Sequence, residues 1–485
     1  MASFLTLFNL VRPKPSRTIP WGPWELSLAQ REDHFLFMGT SGAGKTLSLT
    51  KQYAAILPHV TPESSERALI YDKKGDTLPI LCRLKERGLI HPQTPIYFFN
   101  PQDARSHAWD VAADVNTLPL NQLDGHFHRI VTNLFPIPGR SADKHAHFFH
   151  NKLIELAKFI LHGFATAGIS WSLRDLFGVL YDEKHRKKIL ALHPRGQAAL
   201  EKSGSRETAE NIEASISADL TSYGELAELM QLAAEQDRNF SLHQWLTHPS
   251  ILVFSGTTNP DTPLARLNRT FLTELIEFLV HRSDTRTDRT WIFLDEAASI
   301  GRQERFPTLL RECRSKGASV FLGIQDIPGF RAALGNDREA DSVLAQVKNF
   351  AFFKLPDYES AEWASLRCGE ARRIDPAQGC TKIERRFPFT EFQDQFKFSP
   401  QHGLPGIFRT ADRYPARATI MPLLLDHLDK VPNQWRPLGS FEWPGEAKPR
   451  PNTELERLLG SPLRMPPRQT NGRLPTTGRI LPPNT

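Results

Sequence analysis

One octapeptide limits the folds open to this chain more than any other feature: Gly39-Thr40-Ser41-Gly42-Ala43-Gly44-Lys45-Thr46, a full GxxxxGK[ST] pattern. Its glycines allow successive backbone N–H groups to turn inward around a phosphate, and a helix starting at its end adds a positive dipole pole. Lys45 is then placed to reach β- and γ-phosphates, and the Thr46 hydroxyl to ligate Mg2+. A flexible glycine turn would match the same letters, so the flanks decide. Residues 34–38, His-Phe-Leu-Phe-Met, read as a buried strand, and residues 47–57 have helical composition. Strand before and helix after are the context a phosphate loop requires.

Further apolar runs extend this into a sheet. Residues 67–71 end in Asp72, and 95–99 end in Asn100-Pro101, with a helix expected over 78–86 between them. Strands are expected again at 250–254, 290–294, 318–323 and 350–354, with a helix over 267–282. Such alternation favours a mainly parallel sheet covered on both faces. Between 124 and 248 strand patterns nearly vanish and long helical ones replace them, as over 148–164 and 207–236, with a basic loop at 183–188. The expected organisation is an N-terminal lead-in (1–33), a motor domain (34–123 and 249–443), an inserted all-α domain (124–248) and a Pro/Arg-rich disordered tail (444–485).

The second chemical motif is Trp291-Ile292-Phe293-Leu294-Asp295-Glu296. An apolar strand ending in two acids sets carboxylates at the carboxyl edge of a sheet, where open α/β folds bind ligands. Asp295 suits the Mg2+ shell, and Glu296 suits the base that polarises an attacking water. A solvated turn is the commoner explanation of such a strand end, but the phosphate loop tips the balance. The adjacent glutamate favours hydrolysis over transfer to a small molecule, and a guanine-specific NKxD motif is missing, so ATP is the expected nucleotide. Gln325 closes the next apolar run, where it could sense a γ-phosphate. Arg302, Arg305, Arg311 and Arg314 lie between the two runs. A solvated helix face would account for each, whereas one reaching a neighbouring subunit's site would neutralise transition-state charge.

Composition narrows the rest. No stretch approaches the ~20 apolar residues of a membrane helix, and residues 1–11 lack the features of a signal peptide, so the expected location is cytoplasmic. A net charge of +6 permits a polyanionic partner without requiring one. The four cysteines show no paired spacing and read as reduced thiols. His126, His128, His145, His147 and His150 crowd the start of the helical region, but no cysteine or acid completes a metal set.

The motifs GTSGAGKT (39–46), IYDKKGD (70–76), NPQDARSHAWD (100–110), WIFLDEAASIGR (291–302), LLRECRSKGASVFLGIQD (309–326) and ESAEWASLRCGE (359–370) together resemble the conjugative coupling-protein family. These are the hexameric DNA-pumping ATPases of type IV secretion systems, and the resemblance runs from about His34 to Ala418. It implies a RecA-type P-loop fold, an inserted all-α domain, ATP and Mg2+ at subunit interfaces, and a homo-hexamer acting on DNA. A relaxase and a membrane partner at the secretion channel are implied partners. It also implies that Gly39 to Thr46 and Asp295 bind nucleotide and metal, that Glu296 and Gln325 act in hydrolysis, and that Arg314 acts in trans. Members of the family commonly begin with two membrane helices, which this chain lacks, so recruitment through a partner is expected. A soluble DNA-processing translocase of the same superfamily, or a nucleotide-controlled assembly scaffold, is the alternative. DNA-stimulated ATPase activity would separate motor from scaffold.

Overall fold

A computed structural model of the chain describes residues 18–26, 33–135, 144–201, 220–374, 381–395, 399–421 and 453–465, apart from positions 74, 76, 104, 221–222, 257–258, 260–261, 302, 304, 400 and 464. The chain forms two compact units: residues 1–96, 246–258 and 276–433, and residues 97–245, 259–275 and 434–485.

The first unit is built on a nine-stranded sheet. Its strands are β1 (His34–Met38), β2 (Glu66–Asp72), β3 (Ile96–Phe99), β4 (Ile251–Ser255), β5 (Arg289–Leu294), β6 (Ala318–Ile324), β7 (Val347–Phe352), β8 (Leu404–Thr410) and β9 (Arg413–Ile420). Their order across the sheet is β9-β8-β7-β1-β6-β5-β2-β4-β3, and the chain leaves the unit along β3. From β7 to β4 every neighbouring pair is parallel, whereas β7–β8 and β8–β9 are antiparallel. The central strands are buried along nearly their whole length, as expected where helices cover both faces, which is why they read as continuous apolar runs.

Two pieces depart from the sequence expectations here. The lead-in contains a hairpin, Ile19–Trp21 paired with Trp24–Leu26. Its Trp21 is 1% exposed, with ring centroids 5.1 Å from both Phe35 and Phe37 and 5.9 Å from Phe408. The second departure is the antiparallel pair β8–β9. Leu404, Ile407, Phe408 and Ile420 are buried there, but prolines and arginines interrupt the alternation that would mark it.

The second unit is mainly helical: α3 (Leu120–Leu134), α4 (Lys144–Ala167), α5 (Leu173–Tyr181), α6 (Glu183–Leu190), a helix over Pro194–Glu201 and helical residues 223–234. A two-residue parallel pair, Ala108–Trp109 with Asn239–Phe240, is its only strand pairing among the described residues. The stretch expected to be a basic loop at 183–188 is α6. Asp182 caps it by accepting from the N–H groups of Lys184 and His185, and it buries His185, Arg186, Ile189 and Leu190 while Glu183, Lys184, Lys187 and Lys188 face solvent. Part of the stretch expected to lack structure, 444–485, is also helical. Glu454–Leu459 is closed at its start by a Thr453/Glu456 capping box and at its end by Gly460. That signature was hidden among the surrounding Pro and Arg. The apolar N-terminus, 1–11, lies outside the described residues. Among the described residues no helix is long and apolar enough to cross a membrane.

Candidate functional site

The carboxyl ends of β1, β6, β5 and β2 follow one another along one edge of the sheet, so their four loops are neighbours. β1 runs into the glycine loop and then helix α1 (Lys45–Ile56), and β2 is followed by helix α2 (Thr77–Glu86). Gly39 N donates to Ile324 O at 3.3 Å and Thr40 N to Lys354 O at 3.0 Å, which ties the loop's start to the ends of β6 and β7. Gly42 and Gly44 have φ of 74° and 99°, a region that a side chain would strain. Lys45 is 6% exposed, and its ammonium donates back to the carbonyls of Gly39 (2.5 Å) and Thr40 (3.1 Å). It therefore curls over the hollow that its own loop encloses.

The acids of β5 face this loop. Thr46 Oγ1 donates to Asp295 Oδ2 at 2.8 Å. Glu296 Oε2 pairs with Lys73 Nζ at 2.5 Å, and Glu296 Oε1 accepts from Gln325 Nε2 at 3.3 Å. Strand β6 separates β1 from β5, which puts Gln325 between the phosphate loop and the acids. Gly323 gives the acids their room: a Cβ there would come within 2.9 Å of Asp295 Oδ1.

Glu296 itself has φ 58° and ψ 54°, left-handed backbone that costs a non-glycine residue about 1–2 kcal/mol. The turn is braced. Ser299 N and Ser299 Oγ both donate to Glu296 O at 2.8 Å, and Tyr71 OH is hydrogen-bonded to Ser299 Oγ at 3.0 Å. Burial pushes the Tyr71 phenol up to about 12, so it stays neutral at any physiological pH. Gly256 leaves space for that ring, since a Cβ there would lie 2.2 Å from Tyr71 Oη.

Lys73 is the site residue that sequence reasoning did not assign. It follows β2, and β2 stands beside β5 only because of the strand order, which motif spacing does not reveal. The one available signal was its place in the run after Asp72, itself a strand-end acid. Asp72 accepts from Gly75 N and Thr77 N at 2.9 Å each and so shapes the turn that presents Lys73.

Arg314 is not brought to the phosphate loop of its own chain. It lies in the turn before β6, where Arg314 Nη2 meets Asp33 Oδ1 at 3.4 Å, just ahead of β1. Because β1 and β6 are parallel, this is the amino edge of the sheet, opposite the glycine loop. Lys348 shares Asp33 at 2.9 Å, and the Arg314 side chain is 46% exposed. Arg305 is paired instead with Glu277 at 2.8 Å. No group of three or more potential metal-ligating His, Cys, Asp or Glu side chains occurs among the described residues, and His126 is held by Glu274 at 2.6 Å.

The donor set can be tested against a magnesium–triphosphate. The loop amides and the Lys45 ammonium suit phosphate oxygens, and the Thr46 hydroxyl and Asp295 carboxylate are the hard oxygen ligands that Mg2+ prefers. The residues fit both groups. A parallel sheet with a phosphate loop on one strand, acids two strands away and a polar strand end between them defines an α/β P-loop nucleotide-binding protein.

The chain belongs, more narrowly, to the type IV secretion-system coupling protein DNA-binding domain family, whose model matches residues 22–384. The coupling protein TraD of Escherichia coli (strain K12) is 22% identical over 351 residues, which is 71% of this chain and 45% of TraD. The chain thus spans less than half the length of that curated relative. Among solved structures, the bacterial conjugative coupling protein TrwBdeltaN70 in its unbound form has a TM-score of 0.62 at 19% identity, covering 84% of this chain and 88% of that one. The plasmid coupling protein TrwB in complex with ADP and Mg2+ also gives 0.62, at 18% identity, covering 84% and 90%. These likenesses establish the fold.

Proposed function

We propose that this chain is an ATP-driven DNA translocase of the conjugative coupling-protein type, delivering DNA or a relaxase–DNA complex toward a type IV secretion channel. The observation that carries the reading is the convergence of Thr46, Asp295, Glu296 and Gln325 beside the glycine loop. TrwB, whose fold the chain shares, was solved with ADP and Mg2+ and with a non-hydrolysable ATP analogue.

In this reading Gly39 to Thr46 wrap the triphosphate with backbone N–H groups, and Lys45 swings from its loop carbonyls to the β- and γ-oxygens. Mg2+ held by Thr46 and Asp295 would neutralise charge on the departing phosphate. Glu296 orients the attacking water and accepts its proton, for which the carboxylate must turn from Lys73 and Gln325 toward the nucleotide. Gln325, on the strand between loop and acids, reports whether the γ-phosphate is present.

A ring, with six subunits as the family resemblance implies, completes the site. In this reading Arg314 serves a neighbouring subunit's nucleotide, which its half-exposed position at the sheet edge away from its own loop supports. The family's DNA-binding description and the net charge of +6 support DNA as the polymer moved. The test is ATP turnover with and without single- and double-stranded DNA, together with the mass of the assembly. DNA-stimulated turnover by a ring supports the reading, and turnover indifferent to DNA refutes it.

A further inference from the structure

The helix near the C-terminus is a closed unit in its own right. Thr453 Oγ1 accepts from Glu456 N at 3.1 Å, and Glu456 Oε2 accepts from Thr453 N at 3.0 Å. Glu456 Oε1 accepts from Leu463 N at 3.0 Å, so one carboxylate fastens both ends of the segment. Leu455 and Leu459, four residues apart on the helix, are 0% and 2% exposed, and Leu463, beyond the turn at Gly460, is 7% exposed.

The face that receives it comes from α5 and α6, in the same unit. Arg174 Nη1 lies 3.5 Å from Glu456 Oε1, and Lys188 Nζ donates to Leu459 O at 2.7 Å, satisfying a helix-end carbonyl. His185 Nε2 is hydrogen-bonded to Ser461 Oγ at 2.7 Å, and Ser170 N donates to Glu454 Oε2 at 3.0 Å. Gly178 leaves the floor open, since a Cβ there would touch Leu463 and Met465 at 3.3 Å. The buried guanidinium under the segment has a second partner, since Arg174 Nε donates to Glu228 Oε1 at 2.8 Å. Departure of the segment therefore does not leave that cation unpaired, as a binding groove requires.

We infer that the α5–α6 face is a peptide-docking groove and that residues 453–465 of this chain are its detachable ligand. The groove recognises a short capped helix by an arginine opposite its N3 glutamate, a lysine on its C-terminal carbonyl and a glycine floor under Leu463, in the residues that follow it. It is accessible to other proteins only while the segment is away.

The experiment uses the full chain. Glu456→Ala removes the clasp, and hydrogen exchange should accelerate by about tenfold or more over 453–463 and rise over 173–190, leaving α3 and α4 unchanged. A labelled synthetic peptide of residues 453–465 should then bind the Glu456→Ala chain, restore protection over 173–190, and bind the wild-type chain far more weakly. Lys188 is exposed, so Lys188→Ala leaves the fold intact; it should loosen 453–463 and, combined with Glu456→Ala, weaken peptide binding. Failure of the peptide to bind the Glu456→Ala chain overturns the inference. So does faster exchange throughout 120–201 in that variant, because the segment would then be part of the unit's core.

Discussion

The hydroxyl of Thr46 donates to Asp295 Oδ2 at 2.8 Å across 249 residues of sequence. The contact joins the end of the glycine loop to the end of β5 and fixes where a divalent cation would sit. Replacing Thr46 by Val keeps the volume and removes the oxygen. Mg2+-dependent nucleotide affinity should fall by about tenfold or more while metal-free binding stays unchanged, as titration of a fluorescent nucleotide with and without EDTA would report.

Lys45 donates its ammonium hydrogen bonds to the Gly39 and Thr40 carbonyls of its own loop. Lys45→Ala should abolish ATP turnover, by about two orders of magnitude or more, and leave the circular dichroism spectrum and melting temperature near wild type. Undiminished turnover would remove the loop from the chemistry.

Lys73 meets Glu296 at 2.5 Å. A role in positioning Glu296 predicts that Lys73→Met lowers kcat by about tenfold and leaves KM for ATP unchanged. Parallel losses in kcat and affinity would mean that Lys73 binds nucleotide directly, and an unchanged kcat would mean that the ion pair is incidental.

Arg314 and Lys45 lie at opposite edges of the sheet, so their defects should complement. Rings of Lys45→Ala or Arg314→Ala chains alone should be inactive, whereas a one-to-one mixture should recover up to about a quarter of wild-type turnover, the share of interfaces with one intact loop and one intact arginine. No recovery after subunit exchange would place Arg314 outside the site.

Burial lowers His34 from an ordinary 6.5 to about 4; its Nε2 donates to Leu310 O at 2.7 Å, and its Nδ1 accepts from Val320 N at 3.2 Å. The folded state thus favours the neutral ring. Its contribution is full above the unfolded value of 6.5 and is lost as pH falls from there toward about 4, a swing of up to about 3 kcal/mol. His34→Gln should remove that slope, so denaturant unfolding at pH 7 and pH 4.5 should show the wild-type advantage shrinking on acidification. An advantage independent of pH would contradict it.

Which parts were legible follows from the physics of each element. Strands β1, β2, β5 and β6 are buried on both faces, so they appear as unbroken apolar runs, and loop chemistry begins where each run ends. Asp295, Glu296 and Gln325 therefore stand out at strand ends, and Thr46 through the glycine-rich pattern that follows β1. Lys73 could not, because its importance depends on β2 lying beside β5, a fact about strand order. Helix α6 was obscured because most of its residues are charged and its burial falls on His185, Arg186, Ile189 and Leu190. The hairpin at 19–26 and the pair β8–β9 were obscured by proline and by short length, which erase periodicity.

The most direct measurement is steady-state ATP hydrolysis by the wild-type and Glu296→Gln chains, each with and without DNA. The expected result is turnover that DNA raises severalfold in the wild type and that falls by about two orders of magnitude or more in the variant under both conditions. Equal hydrolysis by the two chains, or wild-type hydrolysis that DNA leaves unchanged, would contradict a DNA motor driven from the edge of this sheet.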